Sequence, residues 1–284
     1  MKKVIFSISA MLFVGAASFA QGNTSDVNQV GNSDISTVSQ HGHLNTSDVD
    51  QIGNSNTSQV FQGVQPGLFD ALRNKAVVMQ SGDSNNAFIS QSNIDNEAYQ
   101  TQTGQTNTAT IWQDQIVGAP GATQGSDWAT QIQTGNNNVA TIDQGTTGNE
   151  KPIAPSKFSS AQLAFALAVP VPVSPHQNND AIQTQNGGGN TAYASQGGKD
   201  NHSFQTQTSP LATSLADGNV SNHYQYGDNN TATNTQNGTK LLNNTMQIGK
   251  FNTATVTQNG TEHQNVSFSK GNNNTINVTQ NNGM

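Results

Sequence analysis

From Asn23 to Gln62 one seven-residue pattern, Asn/Asp-x-Ser-x-Val-x-Gln, recurs with its glutamines Gln29, Gln40, Gln51 and Gln62 eleven residues apart. The units are Asn23-Ser25-Val27-Gln29, Asp34-Ser36-Val38-Gln40, Asn45-Ser47-Val49-Gln51 and Asn56-Ser58-Val60-Gln62. Strict alternation puts the four side chains of a unit on one face of a strand, and the four residues before the next unit suffice for a corner. Two units make a strand-turn-strand rung of 22 residues, a period that marks a solenoid. The expected fold is all-β: stacked strand-turn-strand rungs forming a β-solenoid of two facing, parallel, in-register, amyloid-like sheets.

The pattern persists through the chain. After Val78-Gln80 it places Ile89-Gln91, Gln102, Ile111-Gln113, Gln133, Ile142-Gln144, Gln185, Gln196 and Gln207. It resumes at Gln225, Gln236, Gln247, Val256-Gln258 and, with Ser269 in one glutamine place, Ile276-Val278-Gln280. Repeats therefore occupy 21–63, 74–113, 127–144, 179–207 and 219–284. Breaks fall at 64–73, 114–126, the proline-rich 145–178 and the loop 208–218. Within the first break Leu68-Phe69-Asp70-Ala71-Leu72 suggests one helical turn. The third break carries the apolar run Leu163 to Val169, read either as a surface loop or as a flap over one face.

The count is nineteen strands. Asn-Thr-Ala starts some (Asn107, Asn190, Asn230, Asn252), whereas glycine two places past the glutamine marks others (Gly31, Gly53, Gly82, Gly104, Gly135, Gly187, Gly227, Gly249). Taken as labels for two kinds of strand, these signs put like beside like between Gln207 and Gln225. A strand is then either hidden in 208–218 or skipped there.

Only 32% of the residues are hydrophobic and 10% charged, too few apolar side chains for an ordinary globular core. Strict phase argues against disorder. The pattern instead implies a thin dry interior of Val27, Val38, Val49 and Val60 beside small Ser or Ala. Rows of like amides flank it, from Asn23 and Asn45 and from the glutamines, each bonding to its copy one rung away, about 4.8 Å along the axis. Nine to ten rungs would stand roughly 45 Å tall at that spacing. The repeat begins at Asn23 and its last unit ends at Gln280 with no capping segment at either place. Bare edges of this kind are expected to recruit further strands and give an open filament.

Residues 1–20 read as a secretory signal peptide, with Lys2-Lys3, an apolar run and Ser18-Phe19-Ala20 before cleavage. No membrane span is expected. Without Lys2 and Lys3 the 10 basic residues become 8 against 17 acidic ones, a net charge of −9, which disfavours nucleic acid as a partner. With no cysteine, disulfide and thiol chemistry are excluded.

The repeat Asn-x5-Gln-x-Gly-x-x-Asn-x-Ala-x-Ile-x-Gln, clearest over Asn74–Gln91 and Asn96–Gln113, resembles the curlin family. The resemblance implies a secreted bacterial amyloid subunit of the cell surface and biofilm matrix. It further implies a homopolymer as the product, with a minor nucleator subunit and an outer-membrane secretion pore as partners.

No convergent acid, base or nucleophile emerges, so neither an enzyme nor a cofactor is expected. His41-Gly42-His43 offers two metal ligands without a third. Asp26 and Asp48 should stack, with Asp50 close by. Trp112 and Trp128 are candidate sugar platforms. Competing readings are a nucleating subunit, a monomeric adhesin and, on the rows Thr231-Thr233-Thr235 and Thr253-Thr255-Thr257, an ice-binding solenoid.

Overall fold

In the computed structural model of the chain, residues 22–63, 71–113, 125–145, 177–210 and 217–282 are described. The signal-peptide expectation, the helical turn at Leu68–Asp70 and the run Leu163–Val169 lie outside them.

The strands are β1 (Thr24–Asn32), β2 (Ile35–Gln40), β3 (Gly42–His43), β4 (Thr46–Asn54), β5 (Thr57–Gln62), β6 (Ala71–Leu72) and β7 (Lys75–Asp83). Next come β8 (Asn86–Gln91), β9 (Glu97–Gln105), β10 (Thr108–Gln113), β11 (Trp128–Asn136), β12 (Val139–Gln144), β13 (Asp180–Gly188) and β14 (Thr191–Gly197). The last are β15 (His202–Thr208), β16 (Val220–Asp228), β17 (Thr231–Thr239), β18 (Leu242–Lys250), β19 (Thr253–Thr261), β20 (Gln264–Asn272) and β21 (Thr275–Asn281). Two parallel sheets result: ten strands in order β1-β4-β7-β9-β11-β13-β15-β17-β19-β21, and nine in order β2-β5-β8-β10-β12-β14-β16-β18-β20. These nineteen strands alternate between the sheets along the chain, which is the winding of a β-solenoid.

Register survives every break. Like residues meet like: Val27 opposite Val49, Val60 opposite Ile89, Ile111 opposite Ile142. Ladder partners lie 22 residues apart in Gln29–Gln51 but 29 in Gln51–Gln80, 31 in Gln102–Gln133 and 52 in Gln133–Gln185. Extra chain is therefore shed at corners without shifting the strands, because a one-residue slip would turn every inward side chain outward.

Two of the expectations need correction. Ala71–Leu72 is not helical; it pairs in parallel with Gly42–His43, since backbone groups at a stacked corner find partners one rung away rather than within one turn. Nor, among the described residues, is a strand hidden or skipped between Gln207 and Gln225: β15 lies in the ten-stranded sheet, β16 in the nine-stranded one, and β17 returns to the first. Glycine two past the glutamine marks the bend of a corner, not the identity of a sheet. Gly31 and Gly238 lie near the ends of strands of one sheet, Gly227 and Gly249 near the ends of strands of the other, all with positive φ.

The corner chemistry explains that glycine. Across the corners a second residue of positive φ directly precedes the asparagine or aspartate that opens the next unit, as at Ser33 (60°), Leu44 (57°) and Ser55 (58°). Stacked glycines also approach closely: a Cβ on Gly104 would stand 2.0 Å from the Gly135 carbonyl oxygen. Gly104→Ala is therefore expected to destabilise the fold by about 2 kcal/mol through strain and backbone displacement. Urea denaturation followed by circular dichroism measures it.

The breaks at 64–73, 114–126 and 145–178 leave β5, β10 and β12 and return to β7, β11 and β13, all along one edge of the stack. A narrow column of parallel bridges ties that edge, Leu72–Ile94, Ile94–Gly125, Gly125–Gln177 and Gln177–Lys199. The 208–218 break departs from the opposite edge.

Candidate assembly surfaces and the ladders that lead to them

The glutamines build two continuous ladders. In the ten-stranded sheet each Nε2 donates to the next Oε1 from Gln29 through Gln51, Gln80, Gln102, Gln133, Gln185, Gln207, Gln236 and Gln258 to Gln280, at 2.6–2.9 Å. In the nine-stranded sheet the line runs Gln40, Gln62, Gln91, Gln113, Gln144, Gln196, Gln225 and Gln247, at 2.8–3.0 Å. The spare Nε2 hydrogen reaches a carbonyl across the gap, as from Gln51 to Ile35 (3.2 Å) and Gln62 to Thr46 (3.0 Å). Buried amides are thereby satisfied, and the sheets are tied to each other as well as rung to rung.

Asparagine does the same work at the corners. Asn45 N donates to Asn23 Oδ1 at 2.9 Å, and Asn56 Nδ2 reaches both Asp34 Oδ1 (3.1 Å) and the Gly82 carbonyl (2.8 Å).

Between the ladders, Val49, Val60, Val78, Ile89, Ile111 and Ile142 form one cluster with Ala76, Ala87, Ala98 and Ala129, each 0–1% exposed. Val27 and Val38 pack against its N-terminal end half-buried, Val256 is buried further along, and Ile276 and Val278 are half-buried in β21.

Beyond this the interior turns polar. A second glutamine ladder, Gln100 to Gln131 (3.0 Å), Gln131 to Gln183 (3.0 Å) and Gln183 to Gln205 (2.7 Å), takes the place of the valines in the ten-stranded sheet. The Gln-x-Gln doublets at 100/102, 131/133, 183/185 and 205/207 were its signal in the sequence. Opposite, the inward row passes from Ile142 through Ala194 to His223, Thr245 and Ser267. Ser203 Oγ lies 2.9 Å from His223 Nδ1, and Asn243 Nδ2 lies 3.4 Å from Nε2. Ser221 Oγ accepts from Gln205 and Asn234, both at 2.8 Å.

Burial drives the His223 pKa down to about 3, so the ring is neutral at ordinary pH. A depressed folded-state pKa means that its stabilising effect is complete above the ordinary 6.5 and is lost as pH falls towards about 3. Acidification from pH 7 to 4 should weaken the rungs around β16 by up to about 1.4 kcal/mol per pH unit. His223→Gln should flatten that slope, read from hydrogen exchange across β15–β18.

The outer faces differ. Asp26 stacks on Asp48, and Asn28 Nδ2 donates to Asp50 Oδ1 at 3.2 Å. Burial, then Asp50 and Asp26, push the Asp48 carboxyl upward, with Lys75 opposing. That group thus favours the fold more as pH falls, opposite in sign to His223.

Trp112 stacks on Phe88 (4.5 Å between ring centroids) on the nine-stranded sheet, whereas Trp128 meets Tyr99 (5.0 Å) on the other, so the two tryptophans share no surface. Tyr193, Tyr224, Met246 and Ile248, which alternation directs outward, form a separate buried cluster. The threonine rows align as expected, Thr231-Thr233-Thr235 against Thr253-Thr255-Thr257.

His43 lies in the short pairing with Leu72, and among the described residues no group of three His, Asp or Glu could hold a metal. No helix among them is long and apolar enough to cross a membrane.

At the two ends of the stack, β1 and β2 pair only with β4 and β5, and β20 and β21 only with β18 and β19, among the described residues. Each end therefore shows unpaired strand edges together with half-exposed ladder residues, Gln29 and Gln40 at one and Gln280 at the other. Fold and ladders together define a repetitive, two-sheet parallel β-solenoid whose geometry is compatible with self-assembly. Compared with known proteins, the chain matches no family model and no curated protein.

Proposed function

We propose that this chain is the structural subunit of an extracellular, curli-like amyloid fibre that grows by end-to-end stacking of rungs. In this reading it is exported after loss of residues 1–20 and serves biofilm matrix and cell adhesion. Its partners are further copies of itself, a minor nucleator subunit and an outer-membrane secretion pore; the last two are carried by the curlin-like repeat alone. The role is structural and needs neither catalysis nor a cofactor.

The observation that carries the reading is the continuity of the ladders to the unpaired edges. Gln280 and Gln40 are poised to continue the same amide row that holds the interior, and in-register parallel strands template identical strands. An edge that already displays the ladder demands little reorganisation of an incoming copy.

The test is thioflavin T fluorescence with electron microscopy on residues 21–284, alone and with sonicated fibres as seeds. Growth after a lag, with the lag removed by seeds, is the expected result. Growth without a lag would favour the nucleator reading. A chain that stays monomeric and β-rich would overturn the fibre reading in favour of an adhesin.

A further inference from the structure

The two sheets share one ladder geometry, although β1, β4 and β7 run nine residues where β2, β5 and β8 run six. Gln40, on the nine-stranded sheet, donates to the carbonyl sixteen residues earlier, Thr24; Gln51, on the ten-stranded sheet, does the same to Ile35, and Gln62 to Thr46. Corners on both edges use a positive-φ glycine followed two places later by a left-handed residue, Gly31/Ser33 on one edge and Gly42/Leu44 on the other. The repeating unit of the solenoid is thus the half-rung of eleven residues. A half-turn about the axis combined with a half-rung step maps one sheet onto the other.

The described strands number ten in one sheet and nine in the other, so the described stack contains an odd number of half-rungs. At the C-terminal end β21 projects one strand beyond β20. If a second copy stacked in phase, β1 on β21, a slot one strand wide would remain between β20 and the incoming β2. The facing backbone groups along that slot would have no partners. If the second copy is turned by a half-turn, its β1 lands on β20 and its β2 on β21. Both sheets are then continuous, Val38 follows Val278, and Gln40 accepts from Gln280.

We propose that copies of the 21–284 polypeptide join by this half-rung screw, so that the ten-stranded sheet of one copy runs into the nine-stranded sheet of the next. The inference rests on the fibre reading and specifies its interface. The rise per copy is nine and a half rungs, about 46 Å at a strand spacing near 4.8 Å. The edge from which the breaks at 64–73, 114–126 and 145–178 depart therefore switches sides at every copy.

Because the chain has no cysteine, the contact can be tested by engineered pairs. Thr279, the outward residue before Gln280, is adjacent to Ser39 of the next copy in the screw arrangement and to Asn28 in the in-phase one. Parallel in-register neighbours lie within disulfide reach. Within one copy these positions stand at opposite ends of the stack, so any bridge joins two copies.

Fibres of Thr279→Cys/Ser39→Cys oxidised with copper-phenanthroline should give a ladder of covalent multimers on a non-reducing gel, and fibres of Thr279→Cys/Asn28→Cys should not. The reverse pattern, or fibres with neither bridge, overturns the screw while leaving the fibre reading standing. Failure of the cysteine-free chain to form fibres overturns the reading and the screw with it.

Helical reconstruction supplies an independent readout: a half-turn per copy beyond the sheets' own twist, against none for in-phase stacking. Truncation before Asn274, which leaves eighteen strands, should abolish the half-turn.

Discussion

Ile111→Asp is expected to abolish fibre growth on the timescale in which the parent chain completes it, and to destabilise the folded chain by about 5 kcal/mol. Ile111 is 0% exposed, flanked along the axis by Ile89 and Ile142. Its apolar neighbours are valine, isoleucine and alanine, and the facing amides of Gln100 and Gln131 already spend both hydrogens on backbone carbonyls and on the next glutamine, so a carboxylate there finds no free donor. Val49→Asp should act similarly, since Val49 is equally buried. Val27→Asp should be milder, because Val27 lies half-buried in the end strand. Asp26→Asn and Thr110→Asn, on outward positions, should stay within about 0.5 kcal/mol. Thioflavin T kinetics and urea midpoints measured across this set separate the inward face from the outward one.

Gln113→Glu tests the ladder by a change of one atom. Gln113 Nε2 donates to the carbonyls of Glu97 (3.1 Å) and Asp127 (3.0 Å) and to Gln144 Oε1 (3.0 Å), while Gln113 Oε1 accepts from Gln91 Nε2. A carboxylate would face three acceptors. The expected loss is about 4 kcal/mol at neutral pH.

The substitution also carries a pH signature. Burial against acceptors raises the folded-state pKa of the new carboxyl above the unfolded value of about 4.3. Its protonated form restores one donor, so the deficit relative to the parent is smallest below about pH 4.3 and grows as pH rises through the folded-state value. Difference curves of urea midpoint against pH read this directly, and the His223 contribution cancels because both chains carry it.

The inward face was legible from the sequence because alternation and an eleven-residue phase are enough to decide which side chain points in. Val49, Ile89, Ile111 and the glutamines stand where that phase puts them. The pairing of the inward polar residues was not legible. Alternation assigns a face but does not say that inward Gln100 and Gln131 bond along the axis, or that inward His223 meets Ser203 across the gap. Those contacts depend on the pairing of strands far apart in the chain.

Strand classes failed for a related reason. Glycine after the glutamine answers a steric demand that both edges of the stack share, and so cannot identify a sheet. The apparent helical turn around Ala71–Leu72 yielded to the column of backbone bridges on its edge, which no local propensity encodes. The cluster Tyr193, Tyr224, Met246 and Ile248 was likewise hidden, because strand pattern alone reads outward aromatics as exposed.

Growth of the stack from its ends requires strands to lie across the fibre axis, and X-ray diffraction from aligned fibres of residues 21–284 measures that orientation. A sharp reflection near 4.8 Å is expected on the meridian, along the fibre, with the sheet spacing near 10 Å on the equator. A 4.8 Å reflection on the equator would mean that solenoids assemble side by side through their outer faces, and would contradict growth from the ends.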